Sequence, residues 1–152
     1  MLPSLSQLYL RLSLGIAYTF FGLDRLGVWG PYGKPWVSWG DWKHFSPRAH
    51  QLMFFLPYGL AEAFAVIATI LEISCGILLI IGLLTRWAAL TSFGLALCFA
   101  ISMAVADGFT SPLGYSVFTV SAASLFLALH PGYRWSIDNL RSPANPIAPG
   151  KK

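Results

Sequence analysis

The sequence predicts an all-α integral membrane protein: a bundle of four transmembrane helices with an aromatic-rich extracytoplasmic loop that contains a short helix. Three observations carry this prediction. Hydrophobic residues make up 56% of the 152-residue chain and charged residues only 11%, less than half the ~25% charged share of an ordinary soluble domain. Four apolar runs, near residues 8–28, 60–84, 87–106 and 112–130, come close to or exceed the ~20 residues a helix needs to cross a hydrocarbon core. Short links join the last three runs, as in antiparallel helix hairpins.

The first run carries Arg11 near its start and Asp24-Arg25 near its end. The N-terminus lacks a basic leader and a small-residue cleavage pattern, so it reads as a spanning helix rather than a removable signal. The second run, LAEAFAVIATILEISCGILLIIGLL, would be roughly 37 Å long as a helix. It holds Glu62 at its outer end, within reach of the interface, and Glu72 near its middle. The third run has no charged residue, and the fourth has none before Arg134. Thr85-Arg86 is the turn between the second and third, and the five residues from Asp107 to Ser111 link the third to the fourth.

The segment from Trp29 to Tyr58 differs in kind, with four Trp, two Tyr and four Pro. Such rings favour the headgroup region, so it reads as a cap folded on the membrane surface. Ser46 as N-cap and Pro47 in the first turn predict a short helix ending before Pro57, with Leu52, Phe55 and Leu56 on its apolar face. An even number of spans puts Arg11, Arg86, Arg134, Arg141, Lys151 and Lys152 on one side and Arg25, Lys34, Lys43 and Arg48 on the other. Six basic residues against four orient both termini to the cytoplasm. Residues 1–140 form one domain, and 141–152, rich in Pro and small residues, form a flexible tail.

Small side chains mark the packing faces, because helices in lipid associate through close contact. The second run has a seam at Ala61, Ala65, Ala68, Glu72, Cys75, Leu79 and Gly82. Gly15, Thr19 and Gly22 match it in the first run, Ala89, Ser92, Ala96 and Ala100 in the third, and Ser121, Ser124 and Ala128 in the fourth.

Glu72 is the most informative residue. A carboxylate at that depth costs several kcal/mol by insertion scales and persists with a partner, a proton or a task. Arg11 and Arg25 lie near opposite ends of the first run and are each expected to snorkel to the nearer surface. Tyr18, Thr19, Thr91 and Ser92 are the expected hydrogen-bond partners, and without a cation burial favours the protonated acid. Two readings stand: a structural hydrogen-bonded Glu, or one that handles a proton or ligand.

Arg86 has a structural reading, as a cation at a helix C-terminus, and an alternative as the contact for an anionic ligand or headgroup. Asp107 reads as a solvated turn residue or as part of an outer mouth with Asp24, Asp41 and Arg25. An aromatic cap over such a mouth would suit a flat quinone ring or a lipid. His44, His50 and His130 read as surface or interfacial residues, with a metal at the first two as the alternative; no metal site is expected. Cys75 and Cys98 lie in spanning runs and read as small fillers, or as a redox pair bridging two helices. The net charge of +4 comes from scattered basic residues, which argues for anionic lipid and against nucleic acid.

The segments together resemble the DoxX family of small four-helix membrane proteins. Arg11-Leu12-Ser13-Leu14-Gly15 and Gly22-Leu23-Asp24-Arg25-Leu26 are similar to its first helix. Glu72 to Gly76, continuing through Gly82-Leu83-Leu84-Thr85-Arg86, resembles its E-x-x-x-G…G-L-x-T-R signature. Phe99 to Met103 is like its third helix, Ser111 to Ser116 like the start of its fourth, and His130 to Asp138 like its G-P-G-x-x-S-x-D ending. Trp39 to Trp42 and Phe45 resemble the extra loop of one bacterial subgroup. Two departures are His130-Pro131 in place of Gly-Pro, and Asp24-Arg25 where a single Lys is common.

The resemblance covers about residues 8–140 and makes Arg11, Gly15, Gly22, Gly76, Gly82, Arg86 and Asp138 the structural motif. It implies a bacterial inner-membrane protein that is an accessory or quinone-interacting subunit of an oxidoreductase system, like the family's thiosulfate:quinone oxidoreductase subunit. Quinone is then the expected cofactor, and other membrane or redox subunits or a second copy are the expected partners. Glu72 would be the proton-handling residue, with Arg25, Trp36, Trp39, Trp42, Asp107 and Tyr115 lining the ligand. A non-catalytic scaffold is the alternative, and a small-solute or lipid transporter a further one.

Overall fold

A computed structural model describes residues 2–130 and 132–141. It is 74% helical, with no strand among the described residues. The helices are α1 (Leu2–Asp24), α2 (Trp42–Leu52), α3 (Tyr58–Ile81), α4 (Thr85–Asp107), α5 (Thr110–Gly114), α6 (Val117–Leu129) and α7 (Ile137–Arg141). Two of them, α3 and α4, are long and apolar enough to cross a membrane.

Helices α1, α3, α4 and α6 close a ring in which each packs on the next. Small residues set the contacts. On α3 the buried positions are Ala61, Ala65, Thr69, Glu72, Cys75, Gly76 and Leu79; on α4 they are Thr85, Ala88, Ala89, Ser92, Ala96 and Ala100. At the α1–α3 crossing a Cβ on Gly15 would lie 2.9 Å from the Gly76 carbonyl oxygen, so the backbones themselves are in contact. The shared core is Leu14, Tyr18, Cys75, Leu79, Ala88, Ala89, Leu127 and Ala128. Tyr18 ties three helices: its hydroxyl donates to the Ser92 carbonyl and lies 3.2 Å from Ser124 Oγ.

The α1–α3 register is antiparallel and offset. Arg11 meets Gly82, Gly15 meets Gly76 and Ile80, Gly22 meets Ile73, and Arg25 meets Thr69 and Glu72. Thr69 lies eleven residues past Tyr58, about 16 Å down the helix axis. The first eleven of the 24 residues of α3 therefore extend past the end of α1, and α2 fills that step, packing Phe45 and Ala49 on Ala65.

Three elements depart most from the sequence expectation. The first helix begins earlier and stops at Asp24 rather than residue 28. There the Asp24 carboxylate accepts the Ser38 and Trp39 amides at 3.0 and 2.8 Å, and Gly27 (φ 79°) reverses the chain. The short cap helix starts at Trp42 rather than after Ser46. Asp41 is its N-cap, accepting the His44 amide at 2.9 Å, and Pro47 lies inside. The fourth run is two helices, because Ser116 adopts a left-handed conformation (φ 55°) between α5 and α6. The expected tail, 142–152, lies outside the described residues.

Candidate functional site

The offset brings Arg25 to Glu72. Glu72 Oε2 lies 2.6 Å from Arg25 Nη2, and each side chain is 8% exposed. Arg25 does not snorkel to the surface, and Glu72 has a cation, contrary to the sequence expectation. The ends of α1 and α3 are not level. With α1 ending about 16 Å short of the Tyr58 end of α3, the cap packs over the pair.

The guanidinium is held on several sides. Nη1 donates to Thr69 Oγ1 at 2.9 Å, and the Thr69 hydroxyl donates to the Ala65 carbonyl at 2.9 Å. Phe45 stacks on it, 4.2 Å from Cζ to ring centroid, and Phe99 lies at 5.8 Å. An aromatic face attracts a desolvated cation by roughly 2 kcal/mol. Capacity remains: Arg25 Nε and Asp24 Oδ1 are buried without a partner, and Glu72 Oε2 has only its charge contact with Arg25. Of the neighbours expected for Glu72, Tyr18 turns to Ser92 and Ser124, and Thr91 is exposed.

Two polar latches hold the cap over this pair. Glu62 accepts Trp42 Nε1 at 2.6 Å and Ser46 Oγ at 2.7 Å, and lies 2.6 Å from His50 Nε2. Arg48 and Asp107 form a two-pronged pair, with Nη1 3.1 Å from Oδ1 and Nη2 on Oδ2, and Ser111 also donates to Asp107. Asp107 therefore ties α4 to the cap rather than lining an outer mouth. Asp24 is buried beneath the loop, and Asp41 is occupied as a helix cap.

The other candidates divide cleanly. Trp39 and Trp42 pack on Phe45 at 5.6 and 5.2 Å, so they belong to the roof of the site. Trp36 and Tyr115 are 61% and 76% exposed and do not join it. Phe45, Thr69 and Phe99 were missed by sequence reasoning; Thr69, one helical turn from Ala65 and three residues before Glu72, carried a readable signal. Among the described residues no group of three or more His, Cys, Asp and Glu is placed to hold a metal. Cys75 is a buried free thiol and Cys98 an exposed one.

A second polar centre lies at the opposite end. Arg11, 1% exposed, donates to the Trp135 carbonyl at 2.7 Å. Asp138 accepts the Leu84 and Thr85 amides at 2.8 Å each, capping α4. Burial pushes the Asp138 carboxyl upward, but those amides, with the Arg11 charge, outweigh it and hold it below the ordinary carboxylate value. Gly82 takes a left-handed conformation (φ 70°), where a Cβ would strike Arg11 and Ser136. Arg86 is exposed in the first turn of α4, not at a helix C-terminus as expected, because the α3–α4 turn ends at Leu84.

No curated protein and no solved structure matches the chain. A family model, DoxX, matches residues 6–107. That stretch holds the α1–α3 crossing, the Arg25–Glu72 pair, the cap and its latches, and α4. With its two apolar membrane-length helices, the chain is a membrane protein that belongs to the DoxX family.

Proposed function

We propose that this protein is a quinone-interacting accessory subunit of a membrane oxidoreductase system, with the Arg25–Glu72 pair as the quinone headgroup site. It would sit in a bacterial inner membrane with α1, α3, α4 and α5–α6 as four spans, both termini cytoplasmic and the cap outside. One observation carries the reading. A buried ion pair retains an unpartnered donor, Arg25 Nε, and an underused acceptor, Glu72 Oε2, beneath aromatic rings.

Those residues suit a flat ring with two carbonyl oxygens. Arg25 Nε would donate to one oxygen, Phe45 and Phe99 would border the ring, and Glu72 would hold or release a proton. A bound quinone supplies a two-electron, two-proton acceptor, with electrons from a partner subunit. Placing Arg25 beside Glu72 keeps a positive charge where negative charge would develop on a ligand oxygen, in a buried site that the cap covers.

Glu72→Gln keeps the size and polarity of the side chain but not its charge or its proton. It is expected to lower quinone reduction by the intact complex on the order of tenfold or more, with the quinone still retained in native mass spectra. Unchanged reduction in that variant would remove Glu72 from the mechanism. The scaffold reading is favoured by the latches, which fasten the cap through Glu62 and Asp107. A stoichiometric protein partner with no bound quinone would establish it.

A further inference from the structure

Arg86 occupies a position that a cation should avoid. It sits in the first turn of α4, a 23-residue helix, where the macrodipole favours negative charge. Among the described residues neither Arg86 nor Arg141 forms an ion pair. Both line a cleft of about 750 Å³ between the start of α4, the end of α6 and α7, within the range of ligand sites.

The rest of the lining fits one kind of occupant. His130 adds a third nitrogen base. Asp138 is the only carboxylate in the lining, and it is already committed to the Leu84 and Thr85 amides. Those two amides are half of the four N–H groups that a helix start leaves without an intrahelical partner. Leu84, Trp87 and Leu129, 53%, 67% and 67% exposed, form an apolar rim.

We propose that this cleft binds a phosphate-bearing anion, either the headgroup of a membrane lipid or free phosphate, with Arg86 and Arg141 as its direct contacts. The helix start and the two guanidinium groups supply the charge, and the apolar rim would lie along acyl chains next to the headgroup. The site is separate from the Arg25–Glu72 pair and holds whichever function that pair has.

The test uses the full-length protein in neutral detergent, titrated with short-chain phosphatidylglycerol, with diacylglycerol of the same chains, and with inorganic phosphate. Native mass spectrometry and thermal shift give the readouts. Binding of phosphatidylglycerol but not diacylglycerol is expected, weakened about tenfold or more by R86Q/R141Q and within about twofold of wild type in R134Q. Arg86 and Arg141 are exposed, so the double variant is expected to keep its helicity, which circular dichroism checks. Inorganic phosphate bound with the same arginine dependence, without the lipid, supports the site and identifies a free anion as its occupant. Equal binding of the two lipids, or phosphatidylglycerol binding indifferent to R86Q/R141Q, would overturn the proposal unless phosphate shows that dependence; no binding of any probe overturns it outright.

Discussion

Arg25 and Glu72 each make the other tolerable. Removing one partner of a buried pair leaves an uncompensated charge and typically costs about 3–5 kcal/mol, whereas removing both can be nearly neutral. Arg25→Met is therefore expected to destabilise strongly, and Arg25→Met with Glu72→Gln to recover most of the loss, read as unfolding midpoints in a denaturing detergent. Additive effects would mean the pair is not energetically coupled. Glu72 announced itself in the sequence as a carboxylate deep in an apolar run, and its inward seam was readable from the spacing of Ala61, Ala65 and Cys75. Its partner was not, because α1–α3 register depends on which backbones touch. That is decided by Gly15 against Gly76 and Gly22 against Ile73, a pairing of positions far apart in the chain.

At the scale of elements, the cap helix and the α5–α6 break show local chemistry overriding apolar pattern. Asp41 rather than Ser46 starts α2 because Ser46 Oγ is committed to Glu62. Both candidates follow the same capping rule, so tertiary structure had to choose between them. The His44 amide, followed by its imidazole, holds the Asp41 carboxyl below its ordinary value. A lowered folded-state value means the cap's stabilisation is complete above about pH 4 and is lost as pH falls through the folded value. Amide exchange at the start of α2 should accelerate across that acid window. In Asp41→Asn, whose side chain still accepts but does not titrate, the dependence should vanish. Ser116 offers an independent check: its left-handed backbone (φ 55°) suits glycine, so Ser116→Gly is expected to stabilise by about 1 kcal/mol, seen as a raised Tm.

For the whole molecule, the all-α class and a membrane location were legible in composition and in the length of the apolar runs. The even hydropathy of those runs hid the unequal heights of α1 and α3, since a spanning helix and one displaced along its axis share the same pattern. The proposed four-span topology has a direct measurement. In a cysteine-free background, cysteine at Trp36 should be labelled by an impermeant reagent from outside intact cells, and cysteine at Arg141 only after permeabilisation. The opposite pattern would invert the protein and put the Arg86 cleft on the outer face.

The unequal heights of α1 and α3 also decide what insulates the ion pair. Were Arg25 and Glu72 shielded by acyl chains, a thinner bilayer would bring water toward them and change their local dielectric. The shield above them is instead Phe45 with Trp39 and Trp42, fastened to α3 through Glu62 and to α4 through Asp107. That shield is covalently part of the chain and keeps its thickness whatever lipids surround it. The polarity felt by the pair is thereby set by the protein's own side chains on that side.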